Sequence, residues 1–233
     1  VDLLLVLPFD LEFSKVAADE FVRTLIVESL KACHAVVGYD FHFGHKRGGT
    51  PDVLRQLGER WGFGVSVVAP LEAAGGTVYS STRIRQDLAQ GRAREAAALL
   101  GRPFEIEGRV EMGDQRGRTI DFPTANLRLG DYLRPAGGVY AVRVLVEEEA
   151  PPRWRDGVAN LGTRPTVGGT DLRLEAHLFD FAGDLYGKHI QVALVEHLRP
   201  ERKFAGLDEL KAQIAADAAQ ARAILAEERN ALG

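Results

Sequence analysis

The segment Leu172-Arg-Leu-Glu-Ala-His-Leu-Phe179 alternates between apolar and polar side chains over most of its length. In an extended strand, successive side chains point to opposite faces of the sheet. The leucines and the alanine therefore share one face, and Arg173, Glu175, His177 and Phe179 share the other. This pattern predicts a strand with one face in a hydrophobic core.

Similar stretches surround this segment and are separated by glycine, proline and aspartate. They are Phe104–Met112, Gly138–Glu147, Arg155–Leu161 and Ile190–Leu198. Short strands at this spacing predict an antiparallel β-barrel or sandwich. An alanine-rich helical pattern follows at Leu207–Leu232, and the residues expected to face the barrel are Leu210, Ile214, Ala218 and Ala221.

The first hundred residues instead alternate apolar runs with helical patterns. The runs are Val1–Pro8, Ala35–Gly38 and Val65–Ala69, and the helical patterns are Asp19–Lys31, Thr50–Trp61, Ser80–Gln90 and Ala93–Leu100. Such alternation predicts an α/β fold with a parallel sheet. We place the domain boundary near Gly101–Pro103, which gives one domain of residues 1–101 and another of residues 102–233.

Composition limits the classes of function. The 233 residues are 45% hydrophobic and have a net charge of −4, so the chain has no basic excess and we expect no nucleic-acid partner. No apolar run approaches the ~18 residues of a membrane span, and we expect no membrane partner. The single cysteine, Cys33, excludes an internal disulfide, which favours a cytoplasmic protein. We expect a monomer or a weak homo-oligomer.

One glycine-rich segment is a candidate phosphate loop. Gly113 and Gly117 interleave with Arg116 and Arg118, and the backbone N–H groups of such a loop can turn toward an anion. An ordinary β-turn is the alternative.

Two oxygen-bearing side chains follow this loop. Thr124 and Asn126 stand two residues apart, so they share a face of an extended segment. A hydroxyl and an amide oxygen are hard ligands, of the kind that Mg²⁺ prefers. The alternative is an ordinary strand.

Two charged residues are further candidates. Arg164 lies among turn residues, where it is either held at a cavity mouth or solvated on a hairpin. Glu175, if placed beside a phosphate site, can take a proton from an attacking hydroxyl. Otherwise it is an exposed strand residue paired with Arg173 or His177.

Several segments, taken in order, resemble the bacterial bifunctional riboflavin kinase/FAD synthetase family. They are Gly117–Asn126, Gly138–Ala141, Asn160–Thr166, Leu174–Asp180, Leu185–Gly187 and Leu198–Phe204. Val37–Gly44 and Ser80–Arg85 are similar to segments of the family's adenylyltransferase module, so the resemblance covers essentially the whole chain. It implies a riboflavin kinase barrel that converts riboflavin to FMN with ATP and Mg²⁺, after a nucleotidyltransferase-like (Rossmann-like) domain that makes FAD.

The resemblance also implies roles for individual residues of the kinase module. Glu175 would be the general base that activates the 5′-hydroxyl of the ribityl chain, and Thr124 and Asn126 would hold Mg²⁺ and the ATP phosphates. The remaining implied residues are Gly113, Gly117 and Arg118 over the phosphates, Arg164 in a mobile loop, and Arg199, Glu201 and Phe204 near the flavin.

One position departs from the family's pattern. The family usually has glycine before Phe122, and this chain has Asp121. A carboxylate near ATP phosphates would repel them, which leaves a flavin-binding barrel without catalysis as an alternative function. An oligonucleotide-binding barrel is a more distant alternative, because the sequence has no basic groove with interleaved aromatic residues.

The adenylyltransferase module is expected to be incomplete. The sequence begins with valine and its one methionine is Met112, so we expect it to be part of a longer protein. In the family, a Gly-x-Phe-Asp-x-x-His-x-Gly-His turn precedes the stretch that resembles residues 1–10, and its histidines bind ATP phosphates. That turn is absent from this sequence, so we expect little or no FAD synthesis.

The remaining adenylyltransferase segments contain few candidate residues. Asp40 matches a flavin-binding loop, and Ser81, Thr82 and Arg85 match part of a second nucleotide motif. His42-Phe-Gly-His45 reproduces the bare histidine spacing, and we interpret it as a coincidence in a solvated loop. The alternative is that this histidine pair is a real site and adenylyl transfer survives.

Overall fold

The structure, a computed structural model, describes residues 2–72, 76, 78–112, 122–147, 149–166 and 169–231. It divides into two compact units, residues 1–79 and residues 80–233. Each unit has a hydrophobic core of its own. No helix in the described part of the chain combines the length and apolar character that a membrane crossing requires.

The first unit contains a parallel pair of strands flanked by helices. Its elements are α1 (Ala18–Phe21, continued by a π-helix over Val22–Ser29), β1 (His34–Gly38), α2 (Pro51–Trp61) and β2 (Gly64–Val68). The Thr50 hydroxyl accepts a hydrogen bond from the backbone N–H of Val53, which caps α2. The predicted α/β character and two of the three predicted strands are confirmed.

The third predicted strand, Val1–Pro8, is wrong. Residues 2–10 form neither strand nor helix, and the side chains of Leu3, Val6 and Phe9 are 81, 77 and 79% exposed. The parallel sheet in the described part of this unit consists of β1 and β2, and the segment pairs with neither strand. An apolar run forms a buried strand only where a neighbouring strand can satisfy its backbone hydrogen bonds.

The second unit is an antiparallel barrel with helices before and after it. Its elements are α3 (Ser81–Ala89), α4 (Ala93–Leu100), β3 (Phe104–Arg109), β4 (Ala125–Arg128), β5 (Gly138–Val146), β6 (Trp154–Thr166), β7 (Gly169–Leu178), β8 (His189–Arg199) and α5 (Leu207–Ala231). The six strands have the spatial order β3-β8-β5-β6-β7-β4, and all neighbours are antiparallel. The predicted barrel and C-terminal helix are confirmed.

A backbone bridge joins the two edges of this sheet. Glu111, just after β3, donates its N–H to the carbonyl of Asn126 in β4 at 2.9 Å. The Arg128 guanidinium binds the Glu111 carboxylate at 2.7 Å across the same gap. These contacts nearly close the sheet into a barrel, which removes most of its exposed edge.

The barrel buries apolar side chains on both faces of its wall. Its interior core includes Ile106, Leu127, Tyr140, Leu161, Leu174 and Leu194. On the outer face, α5 covers a second cluster, to which the helix contributes Ala221 and Leu225, both fully buried. The inner faces of β5, β6 and β8 therefore contact the core, and their outer faces contact the helix.

Helices α3 and α4 belong to the second compact unit. The N–H of Ala136 donates to the carbonyl of Leu88 at 2.8 Å, and Arg94 in α4 pairs with Glu196 in β8. The compact units therefore divide between Tyr79 and Ser80. The domain boundary expected near Gly101–Pro103 separates the two modules of the family, whereas the compact units are separated by how the chain packs. The expected boundary therefore stays a prediction.

Gly138, at the start of β5, is expected to tolerate no side chain. Its φ is +140°, and an added Cβ would lie 2.2 Å from the carbonyl oxygen of Arg199. We expect Gly138→Ala to lower the free energy of unfolding by about 3 kcal/mol or more, from strain and overpacking. Urea unfolding checks this, with Gly108→Ala as control, because an added Cβ there would meet its nearest atom, Leu127 Cδ2, at an ordinary 3.7 Å and should not lower stability by more than about 1 kcal/mol. Equal effects of the two substitutions would contradict it.

Candidate functional site

A row of directly opposed residues crosses the barrel wall and defines the site. Asn126 in β4 lies opposite Glu175 in β7, and Glu175 lies opposite Asn160 in β6. The row continues through Val139 in β5 to Arg199 in β8. Directly opposed residues of antiparallel strands have their Cβ atoms about 5 Å apart on one face of the sheet. Residues distant in sequence are thereby brought together on the outer face of the barrel.

A cavity of about 290 Å³ lies along this row, between the barrel wall and α5. Its apolar lining residues are Phe122, Val139, Val158, Ala159, Phe204, Leu210 and Ile214. Its polar lining residues are Thr124, Asn160, Glu175, His177, Arg199, Glu201, Arg202 and Asp217. A cavity lined by both apolar and polar side chains suits a ligand that combines a flat aromatic ring with a polar chain.

The ion pair between Arg199 and Asp217 attaches α5 to the cavity wall. Asp217 is only 4% exposed, and its two carboxylate oxygens accept hydrogen bonds of 2.7–3.1 Å from the Arg199 guanidinium. Gln213, one turn earlier in the helix, donates to the same carboxylate at 2.7 Å. Because a buried charge is costly without partners, these bonds fix both the helix and the arginine.

Glu201 and Phe204 line the cavity mouth beyond β8. The Asn160 amide donates to the Glu201 carboxylate at 3.3 Å, and Gly162 leaves the space that this carboxylate occupies, since a Cβ there would lie 2.3 Å from it. The guanidinium groups of Arg199 and Arg202 lie 5.7 and 4.7 Å from the centre of the Phe204 ring. Both cations thus contact the aromatic ring at the cavity edge.

A second, smaller cavity of about 70 Å³ adjoins the first at Thr124, which lines both. Pro123 and Asn126 line it on one side, and a segment that includes Asp184 and Tyr186 lines it on the other. Thr124 and Asn126 are therefore close to Glu175 and lie next to the larger cavity.

The donor set at the smaller cavity fits a hard cation. Asn126 is 5% exposed, and its side-chain Nδ2 donates to the carbonyl of Thr124 at 3.3 Å. Its Oδ1 is buried and accepts no hydrogen bond in the described part of the chain. A buried amide oxygen without a donor is costly unless a ligand occupies it, and Mg²⁺ takes such an oxygen. These residues therefore fit the divalent metal that the sequence predicted.

His177 lies on the same face of β7 as Glu175 and contacts the segment before β4. Its Nδ1 is 2.8 Å from the carbonyl oxygen of Pro123, and its ring stacks on Phe122 with centroids 3.6 Å apart. A carbonyl only accepts, so Nδ1 bears the proton. Burial lowers the pKa of His177 below its ordinary value, and the bond to Pro123 opposes this only in part.

The structure brings together six of the residues singled out from the sequence: Thr124, Asn126, Glu175, Arg199, Glu201 and Phe204. Gly113, Gly117, Arg118 and Asp121 lie outside the described residues, so the phosphate loop stays a prediction. Arg164 lies in strand β6, opposite Asp171, and its side chain lies outside the description. The β6–β7 ladder extends to Thr166 and Gly169, so Arg164 lies on a β-hairpin, which was one of the two alternatives, and within a strand rather than in the loop that the resemblance implied. Its role stays a prediction.

The predicted adenylyltransferase residues fall into different units. Asp40 is exposed in the first unit, and Ser81, Thr82 and Arg85 are exposed on the first turns of α3 in the second. His42 and His45 are both exposed, and the Nδ1 atoms of their rings lie 2.8 and 3.0 Å from the carbonyls of Asp40 and Ser14.

Sequence reasoning missed four polar residues of the larger cavity, namely Asn160, His177, Arg202 and Asp217. His177 had a usable signal, because its spacing of two from Glu175 puts both on one strand face. The local sequence contains no such signal for Asn160 and Asp217. Asn160 matters because it binds Glu201, and Asp217 because it binds Arg199. These contacts form only when the strands and the helix pack together.

Two family models match the chain. The model for riboflavin kinase (flavokinase) matches residues 100–225, and the model for FAD synthetase matches residues 1–83. The bifunctional riboflavin kinase/FMN adenylyltransferase of Escherichia coli (strain K12) is 48% identical over 222 residues, which cover 95% of this chain and 70% of that protein. The protein of the same description from Pseudomonas fluorescens is 44% identical over 227 residues, covering 97% of this chain and 71% of that protein.

A solved structure shares the fold over most of the chain. A crystal structure described as a macrolide-efflux protein from Streptococcus pneumoniae superimposes with a TM-score of 0.74 and 37% identity, covering 90% of this chain and 66% of that chain. That description belongs to the other protein.

The match of residues 100–225 to the riboflavin kinase model, together with the barrel and its helix, defines the second unit as a kinase module for a flavin substrate. The chain belongs to the bifunctional riboflavin kinase/FMN adenylyltransferase family, and the resemblance inferred from its sequence is confirmed. Members of these families use ATP and a divalent metal.

The lowered pKa of His177 predicts a loss of stability in mild acid. The folded state binds a proton at this ring less readily than the unfolded state does, so stability falls as the pH drops below 6.5. His177→Phe removes this titration, so we expect the wild type to lose stability relative to the variant between about pH 8 and about pH 5. Urea unfolding at a series of pH values measures the free energy of unfolding of both proteins. Groups present in both contribute equally, so the difference between the two values reports the titration of His177. A difference that is constant with pH would contradict the prediction.

Proposed function

We propose that Glu175 is the general base of riboflavin phosphorylation in this chain. The carboxylate accepts the proton of the riboflavin 5′-hydroxyl while that oxygen attacks the γ-phosphorus of ATP, and the bond to the β-phosphate breaks to release ADP and FMN. The observation that best supports this role is the register, because Glu175 stands directly opposite Asn126 and lines the larger cavity. A base has to lie at the boundary between the two substrates.

Riboflavin is proposed to occupy the larger cavity. Its flat ring system would lie against the apolar wall near Phe204 and α5, and its ribityl chain would extend along the polar row toward Glu175. Arg199 and Glu201 are held by Asp217 and Asn160, so they are positioned before a ligand arrives. Such preorganisation reduces the entropy lost on binding.

The ATP phosphates are proposed to lie at the smaller cavity, with Mg²⁺ held by Thr124 and Asn126. When bound there, Mg²⁺ would supply positive charge that neutralises the phosphates. The buried, unsatisfied Oδ1 of Asn126 supports this assignment. Thr124 borders both cavities, so it can hold the phosphates beside the ribityl chain. Gly113, Gly117 and Arg118 are proposed to cover the phosphates, and Arg164 to approach the flavin.

The proposal extends to the setting of the enzyme. We assign residues 102–233 as the riboflavin kinase domain and residues 1–101 as the adenylyltransferase domain. The chain is proposed to act in the cytoplasm, as a monomer or weak homo-oligomer, with small-molecule substrates alone. The single cysteine and the absence of a basic excess in the sequence support this setting.

Adenylyl transfer to FMN is the second candidate function. The match of residues 1–83 to FAD synthetase favours it. His42 and His45 line neither of the two cavities described above, and both are exposed, so neither cavity provides an enclosed phosphate site around them. We therefore propose that FMN is the main product of this chain, and that Asp40, Ser81, Thr82 and Arg85 are remnants of the second activity.

Glu175→Gln tests the general base. The amide keeps the size of the side chain but does not accept the proton, so we expect kcat for FMN formation to fall by about 10²- to 10⁴-fold. Riboflavin binding, followed by quenching of flavin fluorescence, should persist. Glu107→Gln serves as control, because this exposed acid on β3 lines neither cavity. Undiminished turnover in Glu175→Gln would refute the role, and a wild type that binds riboflavin without turnover would favour the non-catalytic barrel.

His45→Ala tests the second candidate. The chain is incubated with riboflavin, ATP and Mg²⁺, and FMN and FAD are separated by chromatography. We expect FMN with little FAD, and the same product ratio from the variant, because His45 contacts the Ser14 carbonyl rather than a cavity. Abundant FAD that disappears in the variant would instead establish adenylyl transfer at this loop.

A further inference from the structure

One side chain joins the strand of the proposed base to the segment of the proposed metal ligands. The ladder between β4 and β7 begins at the pair Ala125–Ala176, so residues 122–124 precede it. The next position of the register would place Thr124 opposite His177. The His177 ring bridges this position and reaches the carbonyl of Pro123 at 2.8 Å.

Proline explains why a side chain is needed here. Pro123 has no backbone N–H, so it cannot donate to a ladder with β7. Its carbonyl oxygen remains available, and the Nδ1–H of His177 donates to it. This hydrogen bond extends the attachment of the segment beyond the point where the backbone ladder begins.

Aromatic contacts hold the ring itself. Phe122 stacks on one face of His177 with an angle of 21° between the rings, and Phe179 meets it edge-on at 5.9 Å. With its Nδ1 bonded and its ring packed, His177 has little freedom to turn. Phe122 and Pro123 are therefore fixed relative to β7 at two points, one polar and one apolar.

We propose that His177 is a positioning residue for phosphoryl transfer. It fixes Phe122 and Pro123, and with them the adjoining Thr124, relative to the strand of Glu175 at the point where the backbone ladder has not yet begun. This inference depends on the roles assigned to Thr124, Asn126 and Glu175 under the proposed function. A shift of the segment by even about 1 Å would misplace the phosphates relative to the attacking hydroxyl, which costs up to about 10²-fold in rate. The flavin ring would lie against other parts of the cavity, so its binding depends less on His177.

The test separates turnover from binding. His177→Phe keeps the stacked ring but removes the donor, and we expect kcat to fall by about tenfold to a hundredfold. The KM for riboflavin should change by less than about threefold, and the KM for ATP–Mg²⁺ should rise, because the metal-binding segment is displaced. His177→Asn places an amide N–H near the former Nδ1, so it should recover part of kcat, whereas His177→Gln should not.

Controls distinguish a loss of positioning from a general effect of replacing a histidine and from failure of a variant to fold. The matched variant His189→Phe, on β8 and outside both cavities, should keep the wild-type kcat. Melting temperatures of all variants identify any that fail to fold, and the comparison of His177→Asn with His177→Gln is made between folded proteins.

The outcomes are distinct. A wild-type kcat in His177→Phe, together with lost turnover in Glu175→Gln, would overturn the positioning role and leave the proposed function intact. Equal kcat values in His177→Asn and His177→Gln would also overturn it. Full turnover in Glu175→Gln would remove the proposed function on which it depends.

Discussion

The antiparallel register that sets Asn126 opposite Glu175 determines the geometry of the rest of the site. The amide and the carboxylate come from strands joined by backbone hydrogen bonds, so neither can move without disturbing the ladder. Asn126 is also fixed from its other side, because its carbonyl accepts the bond from Glu111 that nearly closes the barrel. The same residue thus completes the wall and contributes a buried oxygen to the smaller cavity. Closure of the barrel and placement of this site residue therefore depend on the same strand position.

The second constraint is the ion pair between Arg199 and Asp217. A buried pair of this kind contributes little net stability compared with a well-packed apolar pair. The pair does restrict orientation, because a guanidinium that binds a carboxylate through two nitrogens tolerates few relative orientations of the two side chains. The helix is thereby held in one rotational setting, with Leu210 and Ile214 toward the cavity and Ala221 and Leu225 toward the outer core.

Local patterns in the sequence were sufficient to predict the strands of the barrel and to predict which site residues share one face of a strand. Alternation along β7 correctly placed Glu175 and His177 on the same side, and the spacing of Thr124 and Asn126 was that of an extended segment. The order of the strands was not accessible, because pairing β4 with β7 depends on contacts about 50 residues apart along the chain. In the sequence, Asp217 resembles an ordinary exposed acid on a helix surface, and only its contact with Arg199 in the structure shows that it is buried. The apolar run at residues 1–8 failed as a strand for a related reason, since burial requires a partner strand that a local pattern does not reveal.

The placement of α5 has a thermodynamic consequence. The first half of the helix forms part of the cavity wall, while its second half completes the outer core of the barrel. A molecule that fills the cavity therefore contacts the same helix whose docking completes the fold, and its binding free energy adds to the resistance of the unit to unfolding. The stability of this module then depends on its surroundings as well as on its sequence, because it rises with the concentration of any ligand that fills the cavity.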